Sequence, residues 1–167
     1  MIAPPESLVN LLQPWNDFYS HSKGAETVVT FLHIGGLLLA GGLAIAADRG
    51  SIRALKNTAH SGPYHLRELS TVHRWVLTGL IVVVLSGLAL LAADIETFWG
   101  SWIFWVKMAL VALLLVNGLV MTRTEAALAR DSSDGSPAWR TLHRTAVTSL
   151  GLWFLISLAG VALVNLA

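Results

Sequence analysis

Four apolar runs alternate with short polar stretches along this chain, at about residues 27–47, 73–93, 102–122 and 145–166. Each is close to the roughly 20 residues that a helix needs to cross a bilayer. Neighbouring runs joined by short polar connections predict an all-α fold, an up-down four-helix transmembrane bundle. Ahead of it, in the segment 1–26, Leu8, Val9, Leu11, Leu12, Trp15, Phe18 and Tyr19 share one helical face, interrupted by Pro14. That spacing predicts a short helix lying on the membrane surface; a free tail is the competing expectation.

The polar stretches carry turn signals. Asp48-Arg49 closes the first run, and Ser61-Gly62-Pro63 divides the following loop of about two dozen residues. The second part of that loop, with Leu66, Leu69 and Val72, is expected to continue into the second span. Asp94 and Glu96 form an acidic turn before Trp99, Trp102 and Trp105, an aromatic belt at the start of the third span. Asp131-Ser-Ser-Asp-Gly-Ser-Pro137 reads as a turn and loop.

Composition strengthens the membrane reading. Of 167 residues, 54% are hydrophobic and 13% charged, about half the charged share of a soluble domain. The absence of cysteine excludes disulfides, thiolate metal sites and iron–sulfur clusters. No basic region leads directly into a short apolar run with a cleavage site, so the first span is expected to be an uncleaved anchor. The net charge of +1 gives no sign of a nucleic-acid partner. Its distribution is more informative. Nine of the eleven Lys and Arg lie in or beside the first-to-second and third-to-fourth connections. The positive-inside rule then expects a multi-pass protein of the plasma (inner) membrane with both termini on the outer side.

Within the spans, small residues and a few polar ones stand out. Gly36, Ala40 and Ala44 recur at four-residue spacing, which lets a neighbouring helix or a flat ligand approach closely. Asn117 is expected to hydrogen-bond between helices. His33 and Lys107 sit about 8–9 Å inside the first and third spans at 1.5 Å per residue. Ionisable groups at such depth point to function. The competing readings are snorkelling for Lys107 and a carbonyl-bonded core residue for His33. No ring of charge lines a path through the spans, which argues against an ion channel. His21, His60 and His65 are expected to be solvated.

A repeat gives the sharpest expectation. Thr71, His73, Arg74, Thr78 and Leu80 recur seventy positions later as Thr141, His143, Arg144, Thr148 and Leu150. The first and third spans match more weakly, suggesting a duplicated two-helix unit. The second and fourth spans are diagonal in an up-down bundle, so His73 and His143 are expected to face each other at one depth and ligate a haem iron. Arg74 and Arg144 would pair with its propionates. Anchoring at the interface is the alternative for these residues. Gly87 and Ser157, four turns along, leave no second bis-histidine site on this pair.

Phe31-Leu-His33-Ile-Gly-Gly36 and Trp102-Ile-Phe-Trp105-Val-Lys107-Met-Ala-Leu110 resemble motifs of copper-resistance-D-like membrane proteins and of haem-dependent protoporphyrinogen oxidases. The likeness covers the first and third spans. It implies that His33 and Lys107 belong to a haem or substrate site. The outer polar site they form is expected to take a second haem with His33 as its iron ligand, a quinone headgroup or a substrate. One departure is Ala40, where those families tend to carry tryptophan two turns after the histidine.

Together these readings predict a membrane-embedded protein with one haem b or two, transferring electrons with a quinone or a redox protein as partner. It would stand alone, as a homo-oligomer, or within a larger membrane complex. The alternatives are a haem-dependent porphyrinogen oxidase-like enzyme and a haem-free structural or transport subunit.

Overall fold

A computed structural model describes residues 3–56, 62–130 and 136–166, with side chains placed throughout except at 51, 53–56, 62–71, 73 and 129. Six helices follow in order: α1 Glu6–His21, α2 Lys23–Lys56, α3 Gly62–Ala93, α4 Ile95–Gly100, α5 Trp102–Arg130 and α6 Pro137–Leu166. Four of these are long and apolar enough to cross a membrane, over Lys23–Gly50, Arg74–Ala93, Trp102–Leu128 and Pro137–Leu166. The protein is a multi-pass helical membrane protein. Its two short helices, α1 and α4, accompany a four-helix bundle.

The long helices exceed the apolar runs. The 34 residues of α2 make a rod of about 51 Å against a hydrocarbon layer of about 30 Å. The surplus extends into the arginine-rich connections. Helix α2 runs on to Lys56, and α3 begins at Gly62, so most of the expected loop is helical. Ser61 of the Ser61-Gly62-Pro63 break, the side chains of Leu66 and Leu69, and residues 131–135 lie outside the described residues. Helix α6 starts at Pro137, whose missing N–H is harmless in a first turn. Ser136 precedes it, its Oγ accepting from the Ala138 N–H at 3.4 Å. Asp94 caps α4 by accepting from the Thr97 N–H at 3.3 Å.

Contact order fixes the topology. His33 of α2 meets Val83 and Ser86 of α3, whereas Ala40 meets Gly79, so the two helices run antiparallel. Lys107 of α5 lies against Gly160 of α6, and Asn117 reaches Thr145, so this second pair is also antiparallel. Helices α2 and α6 join the two hairpins, leaving α2 diagonal to α5 and α3 diagonal to α6.

Small residues shape the packing of α2 against α3 and α6. A Cβ on Gly36 would collide with Val83 at 2.8 Å, and one on Gly79 would stand 3.0 Å from the Ala40 backbone nitrogen. Gly41 receives the Trp153 ring of α6, with Cε3 3.2 Å from where a Cβ would be. All four spans then fill the middle of the bundle: Ala40, Leu114, Leu152, Trp153 and Ile156 are buried there, with Leu37, Leu80 and Leu110 packed around them. A second apolar cluster of Met121, Leu128 and Leu142 joins α5 to α6 near the arginine-rich end.

Helix α1 folds back over the opposite end. The Trp15 indole donates to the Ala89 carbonyl at 2.8 Å, and the Asn16 amide donates to that of Ala93 at 2.6 Å. Both acceptors lie in the last turns of α3. The aromatic belt forms near the same end of the bundle, with Trp99 and Trp105 edge to face at 5.2 Å and the Trp105 indole donating to the Trp99 carbonyl at 3.1 Å.

Candidate functional site

The expected haem site is not built. On α6 the buried stripe is Leu142, Thr145, Ala146, Ser149, Leu152, Trp153, Ile156, Ala159 and Leu163. At 3.6 residues per turn, positions 143 and 144 fall off that stripe to either side, and both His143 and Arg144 are exposed. Arg74 is exposed as well; the His73 side chain lies outside the described residues. The middle of the bundle, beyond the arginine-rich end, is filled by Leu114, Leu152 and Trp153, with Leu80 packed against them. Among the described residues, no three His, Asp or Glu side chains gather where they could hold a metal ion. The expectation of haem b, as one group or two, is therefore corrected, and with it the iron-binding, cytochrome and quinone readings. His143 is turned off the buried stripe, and neither Arg74 nor Arg144 is buried toward an expected propionate position.

The seventy-residue repeat has a different physical content. Gly79, Val82, Val83 and Ser86 of α3 correspond at this offset to Ser149, Leu152, Trp153 and Ile156 of α6. Each set faces into its helix interfaces. The offset records two helices packed in one register.

His33 and Lys107 lie at the same end of the bundle on diagonal helices. The two glycines that accommodate them come from the other hairpin partners. A Cβ on Gly87 of α3 would meet the His33 Cε1 at 3.1 Å, and one on Gly160 of α6 would meet the Lys107 Nζ at 3.6 Å. All four spans thus contribute to one polar centre, and both side chains are partly buried.

The hydrogen bonds of His33 define its chemistry. Nδ1 lies 3.1 Å from the Val83 carbonyl and 3.1 Å from the Ser86 Oγ. A backbone carbonyl only accepts, so Nδ1 carries the proton. The Ser86 hydroxyl spends its own hydrogen on the Val82 carbonyl at 2.6 Å, which leaves its oxygen free to accept from the ring. The neutral imidazole therefore presents Nε2 as a bare lone pair. That nitrogen has no hydrogen-bond partner among the described residues, and neither does the Lys107 ammonium.

Among the described residues His33 belongs to no group of three His, Asp or Glu side chains, so the expected second iron site there is corrected as well. The carbonyl-bonded core reading of His33 fits its Nδ1, and Lys107 is turned onto Gly160 inside the bundle. Sequence reasoning missed Ser86, Gly87 and Gly160 as parts of this centre. Ser86 was the available signal, a buried hydroxyl in an otherwise apolar run. Asn117 does what its position predicts, donating to the Thr145 carbonyl at 3.0 Å. His21 is exposed and bonded within α1; His60 and the His65 side chain lie outside the described residues.

No family model, no curated protein and no solved structure matches this chain.

Proposed function

We propose that the protein is a haem-free binding or transport subunit whose working centre is the His33–Lys107 pair, and that this centre holds an oxyanion. One observation carries the reading: the Lys107 ammonium sits inside the bundle against Gly160 with no anionic partner among the described residues. An ammonium in such surroundings is costly unless a counter-charge joins it. The glycine lets the ammonium lie close against α6, where an added Cβ would touch Nζ at 3.6 Å. The resemblance of the Phe31–Gly36 and Trp102–Leu110 stretches to the copper-resistance-D-like proteins supports one shared substrate site for His33 and Lys107.

The bias of basic residues supports placing the arginine-rich end in the cytoplasm. This centre then lies in the half of the membrane that faces outward. The oxyanion is either free in solution or carried by a membrane amphiphile, and the two sources separate experimentally. Protein in phosphatidylcholine nanodiscs is dialysed against labelled acetate and labelled decanoate, with empty discs as background. Saturable binding of acetate identifies a free anion, and binding of decanoate alone identifies an amphiphile. Lys107→Met abolishes either, while Lys23→Met, at an exposed ion pair with Glu26, leaves it intact. Saturable binding of neither acid, or unchanged binding by Lys107→Met, ends the reading in favour of a purely structural subunit.

A further inference from the structure

We infer that this centre takes up a proton with each anion, shared between His33 Nε2 and an oxygen of the ligand. The inference rests on the oxyanion reading above and adds the role of His33 to it. Its basis is the fixed tautomer. The Val83 carbonyl holds the Nδ1 hydrogen at 3.1 Å, and Ser86, oriented by its own bond to Val82, accepts at the same nitrogen. Reversing the tautomer would set two lone pairs against the Val83 carbonyl.

Nε2 therefore meets any ligand as an acceptor. Lys107 meets it as a donor. An anionic oxygen against the Nε2 lone pair is repelled, whereas an oxygen and nitrogen with one proton between them form a charge-assisted hydrogen bond. The second oxygen of a carboxylate then accepts from Lys107. The balance is simple: one anion and one proton enter from solution, one N–H···O bond forms, and no covalent bond between heavy atoms changes.

Apart from Lys107, the described charged groups at this end of the bundle stand at the helix ends, exposed Asp94 and Glu96 of the α3–α4 turn and α4 among them. Helix α3 carries none between Trp75 and Ala93, and α6 carries none between Thr145 and Leu166. Lys107 is the one charge that α5 offers between Trp102 and Thr122. On α2 the nearest are Lys23 and Glu26, paired at 2.8 Å. Helix α1, also packed on α2, offers Glu6, Asp17 and His21, all exposed.

The experiment counts protons. Protein in weakly buffered phosphatidylcholine nanodiscs at pH 7.5 receives decanoate or acetate, whichever binds, adjusted to that pH. Uptake is read with a pH indicator and corrected with empty discs and with Lys107→Met discs. The expected result is about one proton taken up per anion bound, one lone pair accepting one proton, and tighter binding as pH falls from 8 to 6. His33→Leu, if it folds, loses the uptake. Wild-type protein that binds the anion through Lys107 with no proton uptake overturns this inference and leaves the oxyanion reading standing. Absence of any Lys107-dependent binding removes the oxyanion reading itself.

Discussion

Gly79 of α3 lies against Ala40 of α2 so closely that an added Cβ would stand 3.0 Å from the Ala40 nitrogen and 3.2 Å from its Cα. Both obstacles are backbone, so relief requires the helices to part. Gly79→Ala is expected to destabilise the bundle by about 1–3 kcal/mol, the usual range for an overpacked interface. Gly35→Ala is the control, because an added Cβ there meets nothing within 4 Å; it should change stability by no more than about 0.5 kcal/mol. Unfolding in mixed micelles with rising dodecyl sulfate, followed by tryptophan fluorescence, measures both. Equal stability of the two variants would show that the α2–α3 crossing is looser than described.

The α5–α6 pair depends on a different device. Asn117 donates to a main-chain carbonyl, that of Thr145, at 3.0 Å. Hydrogen bonds between membrane helices average about 0.6 kcal/mol, so Asn117→Ala should cost about that much. The acceptor is backbone, so Thr145→Val preserves the bond, and the effects of the two substitutions should add. A coupling energy well above about 0.5 kcal/mol, the usual limit for independent sites, would mean that the threonine hydroxyl is the true partner.

The spans were legible because lipid permits so little: a backbone crossing it must bond to itself, so length and hydropathy suffice to find the helices. Gly36 and Ala40 were legible as a packing row for the same reason. The helix ends were not, because arginine and lysine mark contact with water yet are themselves good helix formers. Arg53-Ala-Leu-Lys56 therefore carries α2 onward. The haem reading failed on azimuth. The repeated His-Arg pairs predict matching depth, but depth does not say which way a side chain turns, and Leu142, one residue before His143, holds the buried position. The depths of His33 and Lys107 were likewise legible. Gly87 and Gly160, the small residues of two other helices that lie beside them, were not.

Turning His143 outward has a measurable consequence. His143→Ala and Arg144→Ala remove exposed side chains and should each move stability by no more than about 0.5 kcal/mol. Leu142→Ala, at a site with 0% exposure, should cost about 2–5 kcal/mol through the cavity it leaves with Met121 and Leu128. The same sulfate-micelle titration ranks the three. A large loss from His143→Ala would reinstate that ring as a packed or bonded group.

The chain has no cysteine, so single cysteines report orientation without background. Asn165→Cys, exposed near the end of α6, and Arg140→Cys, exposed near its start, lie at opposite ends of the bundle. A membrane-impermeant maleimide should label position 165 in intact cells and position 140 only after lysis. The reverse pattern would place the arginine-rich end outside, against the positive-inside bias.

Helix α1 contributes no buried residue, so its hold on the bundle depends on a partly covered aromatic face and two donated hydrogen bonds. Trp15 bonds to the Ala89 carbonyl and Asn16 to that of Ala93. Ala93 is among the last four residues of α3, whose carbonyls lack an intrahelical partner, and Ala89 stands one turn before it. Trp15→Phe retains an aromatic ring beside Phe18 and Tyr19 and loses only the donor. A bond of this kind contributes about 0.5–1.5 kcal/mol, a large share of what can fasten so exposed a helix. In Trp15→Phe/Asn16→Ala, amide exchange over residues 6–21 should therefore rise several-fold, while exchange in α3 and α6 stays at the wild-type level. Because local opening reports local free energy, unchanged exchange in α1 would mean that its apolar contacts alone hold it down. A parallel rise in α3 would instead make α1 a structural part of the bundle.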